Sequence, residues 1–319
     1  MITTYDIRMA YRLILGREPE NDEIVKEILQ RAYSLAELRR EFLTSREFRT
    51  TTTFPDMAKP LDWAPLPVET EASPEESAQM LRRIETYWRE IDVPEVQSSL
   101  MQHEDFTYLD FTEDENDFYE HGQELIGIFQ STAERCGISL DQRVCLELGC
   151  GVGRLTVWLS ELFPKILGVD ISQVRMDLNQ RALRRFGRSN VEFHKLISID
   201  SLAALPQFDA FFSIIVLQHN PPPVITALLK TVLGKLYPGG IAYFQIPTFI
   251  KGYSFSIHHN LYETEKASLM EMHAVPQKRL FQILQDCDCE LLEIREDPWT
   301  ESNTIVSNSV LCKKKEVTS

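Results

Sequence analysis

The chain has 319 residues, 43% of them hydrophobic and 25% charged, the make-up of a globular protein with material for two domains. Its formal charge is −15, and residues 61–120 carry nearly all of it, with 17 acidic side chains against three arginines. This balance excludes the basic face that a phosphate-tracking protein needs, and no apolar run reaches the length of about 20 residues that a membrane helix requires.

The acidic stretch reads as a solvated linker and helix face, so no nucleic-acid partner is expected. Asp6, Arg8 and Arg12 interrupt the apolar residues of the N-terminus, which argues against a leader peptide. Cys136, Cys145, Cys150, Cys287, Cys289 and Cys312 have neither zinc-site nor thioredoxin-type spacing. Reduced thiols in a cytoplasmic protein are expected, with no metal.

Residues 1–50 read as a small helical module. Ile7, Ala10, Tyr11 and Ile14 recur at helical spacing, as do Ile24, Val25, Ile28 and Leu29. Gly16 and Pro19 separate these helices, and Ser34-x-x-Glu37 is a capping box opening a third. Tyr11, Arg12, Leu15, Gly16, Arg17 and Pro19, then Phe42, Ser45, Glu47 and Phe48, form a pattern similar to helical repeats found beside enzymes of bacterial cell-surface glycan assembly. The alternative is a docking or dimerisation element without chemistry.

Residues 51–78 are assigned to a linker, rich in threonine and proline up to Ser73. Helix-like sequence resumes over Pro74–Glu90 and Tyr119–Arg135, giving a helical lead-in (79–140) to a core at 141–319. From Arg143 strands and helices alternate. Strands are expected at Val144–Leu148, Lys165–Val169, Val191–Phe193, Phe208–Leu217 and Ile241–Ile246, and helices at Leu155–Leu162, Val174–Phe186 and Pro221–Leu236. Glu290–Glu296 and Thr304–Cys312 suggest an antiparallel edge pair. The expected class is α/β, a Rossmann-like, mostly parallel seven-stranded sheet flanked by helices and preceded by the small all-α module.

The decisive segment runs from Val144 to Arg154, where a strand ends in Glu147 and Gly149, Gly151 and Gly153 follow at alternate positions. A dinucleotide fingerprint would place its third glycine at Arg154. A carboxylate at Glu147 would repel a pyrophosphate and favour a ligand with an ammonium group and no phosphate, as in S-adenosylmethionine. Asp170 ends the second strand at the separation from which an acid reaches ribose hydroxyls; a helix N-cap is the alternative.

Glu147–Arg154, Gly168–Ser172, Phe208-Asp209, Val216–His219 and Pro238–Gly240 resemble the successive motifs of class I S-adenosylmethionine-dependent methyltransferases, in order and at family spacing. The resemblance implies that Gly149, Cys150, Gly151 and Gly153 line the methionyl group, that Asp170 holds the ribose and that Ile171 lies against the adenine. It adds Gln218 to the cofactor-binding set, and Tyr119 and Gly122 as residues closing over the cofactor. The family's acid after the third strand is displaced here: Ile197 and Ser198 hold its register and Asp200 follows, so Asp200 is either an adenine contact or an N-cap.

His219, just past the fourth strand, is the candidate proton acceptor, and packing is its alternative role. His258, His259 and His273, with Phe249, Tyr253, Phe255 and Tyr262, fall in the segment after the fifth strand, where a substrate lid is expected. Asn220-Pro221-Pro222-Pro223 lacks the aromatic ring of an amino-group methyltransferase box and reads as a helix start. The acceptor is expected to be a sugar or surface-glycan intermediate modified on oxygen. A small molecule of secondary metabolism, or a scaffold that binds the cofactor without catalysis, are the alternatives.

Overall fold

The computed structural model describes residues 2–31, 34–45, 47–48, 66–91, 115–141, 144–264, 270–300 and 304–316. The chain divides into two compact units, Met1–Trp63 and Ala64–Ser319. Residues 51–65 of the expected linker, and residues 92–114 of the acidic stretch, lie outside the described residues.

The first unit holds α1 (Thr4–Ala10), a π-helical turn Tyr11–Leu15, α2 (Asp22–Arg31) and α3 (Leu35–Thr44). Thr3 and Ser34 cap α1 and α3 with side chains that accept from the third residue onward. Ile7, Tyr11, Val25, Ile28, Leu38 and Phe42 form its core, with the rings of Tyr11 and Phe42 edge to face at 4.9 Å. Arg17 lies over the Tyr11 ring at 4.9 Å and donates to Glu47 Oε2 at 2.6 Å. Residues of the repeat-like pattern thus pack and pair with one another.

The second unit opens on α4 (Pro74–Ile91) and α5 (Glu115–Arg135). Part of the expected linker belongs to this unit. Val68 bridges Phe255, whose amide donates to Pro67 O at 3.1 Å, and Ser73 and Glu76 form a capping box that starts α4 ahead of residue 79.

Then come β1 (Val144–Leu148), α6 (Thr156–Leu162), β2 (Lys165–Asp170), α7 (Gln173–Arg185), β3 (Val191–Lys195), α8 (Ile199–Ala203), β4 (Phe208–Ser213), α9 (Pro222–Lys235), β5 (Leu236–Ile250), α10 (Gln277–Asp286), β6 (Cys289–Asp297) and β7 (Ile305–Lys314). The sheet order is β3-β2-β1-β4-β5-β7-β6, parallel except for β7, which runs antiparallel to both neighbours. This is the expected Rossmann-like sheet. Strand order reverses between β1 and β4, and ligands on such sheets bind beside that point at the carboxyl ends.

Alternation along the strands divides the core. Leu146, Leu148, Leu167, Val169, Phe211 and Phe244 face α4, α9 and α10, whereas Cys145, Ile166, Phe212 and Tyr243 face α5 and α6. Burial of both faces explains the near-continuous apolar runs of β1, β2 and β4. The fourth strand is shorter than its apolar run suggests. It stops at Ser213 because Ile215 adopts φ 59° and turns its amide to Gln245 Oε1 at 3.1 Å, and a short 3₁₀ turn, Leu217–His219, follows. Among the described residues no helix is long and apolar enough to cross a membrane.

Candidate active site

The turn after β1 is pinned to the end of β2: the amides of Gly149 and Cys150 donate to Val169 O at 2.7 and 3.1 Å. Gly149 has φ +75°, and a β-carbon there would lie 2.2 Å from a methyl of Val216. Both the backbone sign and the close approach of the β4 end require glycine. Asp170 spans the opposite edge of the turn. Its Oδ2 accepts from Gly151 N at 2.8 Å and its Oδ1 from Ser172 N at 2.8 Å. Ser172, not Asp170, is the N-cap of α7.

Parity along β1 places Glu147 beside Cys145, on the face covered by α5 and α6. It is 2% exposed, and its Oε2 has no hydrogen-bond partner among the described residues. Burial pushes its carboxyl up to about 8, with a Thr156 hydrogen bond opposing and the charge of Asp170 adding to the rise.

Above the turn opens a pocket, partly open to solvent. Of the expected residues, Gly149, Gly151, Asp170, Ile171 and His219 line it. Cys150 is buried below the turn, and its carbonyl accepts from Asn179 Nδ2 at 3.1 Å. Gly153 packs on that same Asn179, whose Oδ1 would lie 2.6 Å from an added β-carbon.

Other expected residues lie outside the pocket lining. Tyr119 and Gly122 sit on α5. The Tyr119 hydroxyl reaches Val152 O at 3.5 Å and Gly122 lies against Arg154 O, so α5 braces the turn from its outer side. Asp200 is exposed in the first turn of α8, outside the pocket lining, and Ser198 is the N-cap there; Leu196 lines the pocket instead. Gln218 is 3% exposed and serves as a strut, its Oε1 accepting from Gln245 Nε2 at 2.8 Å.

His219 sits between Gln218 and a backbone carbonyl. Its Nδ1 is 3.1 Å from Glu271 O and its Nε2 is 3.2 Å from Gln218 Nε2. A carbonyl can only accept, so Nδ1 carries the hydrogen and the Nε2 lone pair accepts from the Gln218 amide. Burial holds the ring's pKa down to about 4. A neutral ring with its lone pair engaged is a poor proton acceptor, which favours the packing role for His219.

The opposite wall comes from residues the motifs do not mark. Ile84 and Trp88 project from α4 and Arg175 from the first turn of α7, with the Arg175 guanidinium 4.5 Å from the centre of the Trp88 ring. Trp88 also meets the His219 ring edge to face at 5.9 Å. The adjacent pair Tyr87-Trp88 in an amphipathic helix was the one available signal.

Tyr262 is 65% exposed and His258 and His259 pair with Glu263, whereas Phe255 and His273 are buried against one another. Asn220 ends the 3₁₀ turn and Pro221 caps α9, so the proline run is a helix start.

Residues 146–242 match the family model described as a methyltransferase domain. The matched stretch runs from β1 into β5 and holds the glycine turn, Asp170 and His219. Among curated proteins, an uncharacterized protein of Rickettsia prowazekii is 31% identical over 105 residues, 32% of this chain and 19% of that protein. A tRNA U34 carboxymethyltransferase of Nautilia profundicola is 31% identical over 105 residues, 32% of this chain and 34% of that protein. The match therefore spans at most about a third of these relatives' length.

Among solved structures, magnesium protoporphyrin IX methyltransferase from Synechocystis PCC 6803 with bound S-adenosylmethionine aligns at TM-score 0.48 and 14% identity, over 73% of this chain and 97% of that one. A putative sarcosine dimethylglycine methyltransferase from Galdieria sulphuraria aligns at 0.47 and 15%, over 62% and 86%.

Proposed function

We propose that this chain binds S-adenosylmethionine in the pocket above the glycine turn and acts as a methyltransferase. The observation that carries this reading is the glycine turn spanned by the Asp170 carboxylate, which lines the pocket and accepts from Gly151 N at 2.8 Å. A pyrophosphate would meet the Asp170 negative charge with its own. A phosphate-free nucleoside with a cationic side chain would not.

When bound, S-adenosylmethionine supplies a methyl group on a sulfonium. The protein's part is to bind and orient. Asp170 is positioned for the ribose hydroxyls while it fixes Gly151, and Ile171 and Leu196 offer apolar surface for the adenine. Gly149 and Gly151 leave backbone open where a side chain would block entry. Trp88 turns the Arg175 charge aside on its ring face.

For the acceptor, the repeat-like pattern in residues 1–50 supports O-methylation of a sugar or surface-glycan intermediate. A small-molecule acceptor is the second reading, favoured by the cavity described below. The relative named for tRNA raises an RNA acceptor, but a net charge of −15 opposes it.

Calorimetric titration with S-adenosylhomocysteine and with NAD tests the cofactor reading. Saturable binding of the first and none of the second is expected; the reverse result would sink it. Removing residues 1–53 separates the acceptor readings, since loss of glycan binding with turnover on a simple acceptor retained would support the glycan role.

A further inference from the structure

Beside the cofactor pocket lies a second hollow, partly open to solvent, which shares Ile84, Trp88 and His219 with it. One side is a single face of α4: Met80, Arg83, Ile84, Tyr87 and Trp88 follow the spacing of residues stacked on one helix stripe. The other side is Asn260, Met270 and Glu271. The walls are therefore mainly aromatic and thioether surface, with the polar ends of Arg83 and Tyr87 on the helix side and those of Asn260 and Glu271 opposite.

Those polar groups are unequally committed. The Arg83 guanidinium donates to the carbonyls of Asn260 and Thr264, so it ties the helix to the segment opposite. The His219 Nδ1 hydrogen is given to the Glu271 carbonyl. Glu271 is held by a relay, with Oε2 2.8 Å from His273 Nε2 and His273 Nδ1 2.8 Å from the Tyr253 hydroxyl. With the tyrosine hydroxyl donating to Nδ1, the hydrogen of His273 sits on Nε2 and points at the carboxylate. His273 is buried, so the relay fixes the carboxylate from behind.

Acceptor capacity remains on this side. Asn260, which is 8% exposed, carries a buried Oδ1 without a partner among the described residues, and the Glu271 carboxylate meets His273 through Oε2, leaving Oε1 as its second acceptor oxygen. Hydrogen bonding to His273, against the opposing effect of burial, holds Glu271 below the usual glutamate range, so it is a carboxylate at neutral pH.

We infer that this cavity is the acceptor site, and that it takes a small, largely apolar or aromatic molecule whose hydroxyl or amino group donates to Glu271 and Asn260. The inference rests on the methyltransferase reading and names the acceptor class for that site. Glu271, positioned by His273 and Tyr253, is the acceptor-orienting residue, in the place the sequence offers to His219. A pyranose ring fits poorly. It carries hydroxyls around its whole rim, and each one buried against Tyr87, Trp88 or the methionines would lose its hydrogen bonds to water without gaining a partner.

The test titrates the full chain with 4-methylphenol, tyramine and methyl α-D-glucopyranoside by ligand-observed NMR, in parallel with S-adenosylhomocysteine by calorimetry. Binding of the two phenols and not of the glycoside is expected. Glu271→Ala should weaken phenol binding about tenfold while S-adenosylhomocysteine affinity changes less than twofold. Glu271→Gln, which keeps the side-chain shape, gives the same readout should the alanine variant fail to fold. Equal binding of the glycoside, or phenol binding indifferent to both substitutions, would overturn the inference and leave the cofactor reading intact. Failure of the wild-type chain to bind S-adenosylhomocysteine would remove the ground beneath both.

Discussion

The two sides of the cofactor pocket are built in opposite ways. One side consists of short, nearly continuous stretches at the ends of β1 and β2, and its work is done by backbone: amides pinned to Val169, positive φ angles, and one carboxylate spanning the turn. The other side is assembled from α4 and the first turn of α7, with Met270 and Glu271 lining the hollow next to it, and its work is done by side chains that meet only after folding. The difference teaches where substitutions act. Changes on the first side alter backbone geometry and cofactor affinity together, whereas changes on the second alter what can sit beside the cofactor.

The largest effect is expected at Gly149→Val. The positive φ and the overlap with Val216 together cost roughly 2–5 kcal/mol. Chemical denaturation should show that loss, with S-adenosylhomocysteine binding abolished; a stable variant that still binds would remove the turn from the backbone-built side.

Glu147→Gln comes next. The Glu147 carboxyl titrates near 8 in the folded protein, above its ordinary 4.5. The folded state thus keeps a proton that the unfolded chain releases. Stability from this group is full below pH 4.5 and is lost as pH rises toward 8, by at most about 1.4 kcal/mol per pH unit. His219 acts in the opposite sense: its pKa, held down to about 4 from an ordinary 6.5, removes stability as pH falls from 6.5 toward 4. Melting curves across pH 4–8 should show a maximum near the middle. In Glu147→Gln the alkaline decline should flatten; an unchanged alkaline limb would show that Glu147 is not the group responsible.

Asp170→Ala removes the acceptor for Gly151 and Ser172 together with the proposed ribose partner. Cofactor affinity should fall about tenfold by calorimetry, and an unaltered constant would take Asp170 off the ribose. The smallest effect is expected at Asp200→Ala. An exposed side chain outside the pocket should change stability by no more than about 0.5 kcal/mol and affinity by less than twofold. A large loss would restore Asp200 to the adenine.

Much of the first side was legible because its signals are local. A strand ending in Glu147, three glycines at alternate positions and Asp170 at the next strand end specify backbone turns wherever they occur in an α/β sheet. The same parity that makes β1 read as a buried strand also places Glu147 away from the pocket floor and into the α5–α6 layer. Its burial was not visible from the motif, which suggested only a carboxylate near the ligand. The surroundings of Asp200 and Tyr119 were hidden for a related reason: residue spacing gives their positions along the chain, but the start of α8 and the packing of α5 on Val152 and Arg154 decide which way they face.

By itself the sequence determined the order of strands and helices, the sheet class, the glycine turn and its flanking acids, because periodicity and turn chemistry act over a few residues. Only the tertiary structure decided that Trp88 and Arg175 stack across the pocket, that His219 is held neutral between Gln218 and Glu271, and that Tyr253, His273 and Glu271 line up beside a second cavity. Those arrangements depend on which helix face docks on which strand end, a long-range choice set by burial of apolar surface and invisible to spacing along the chain.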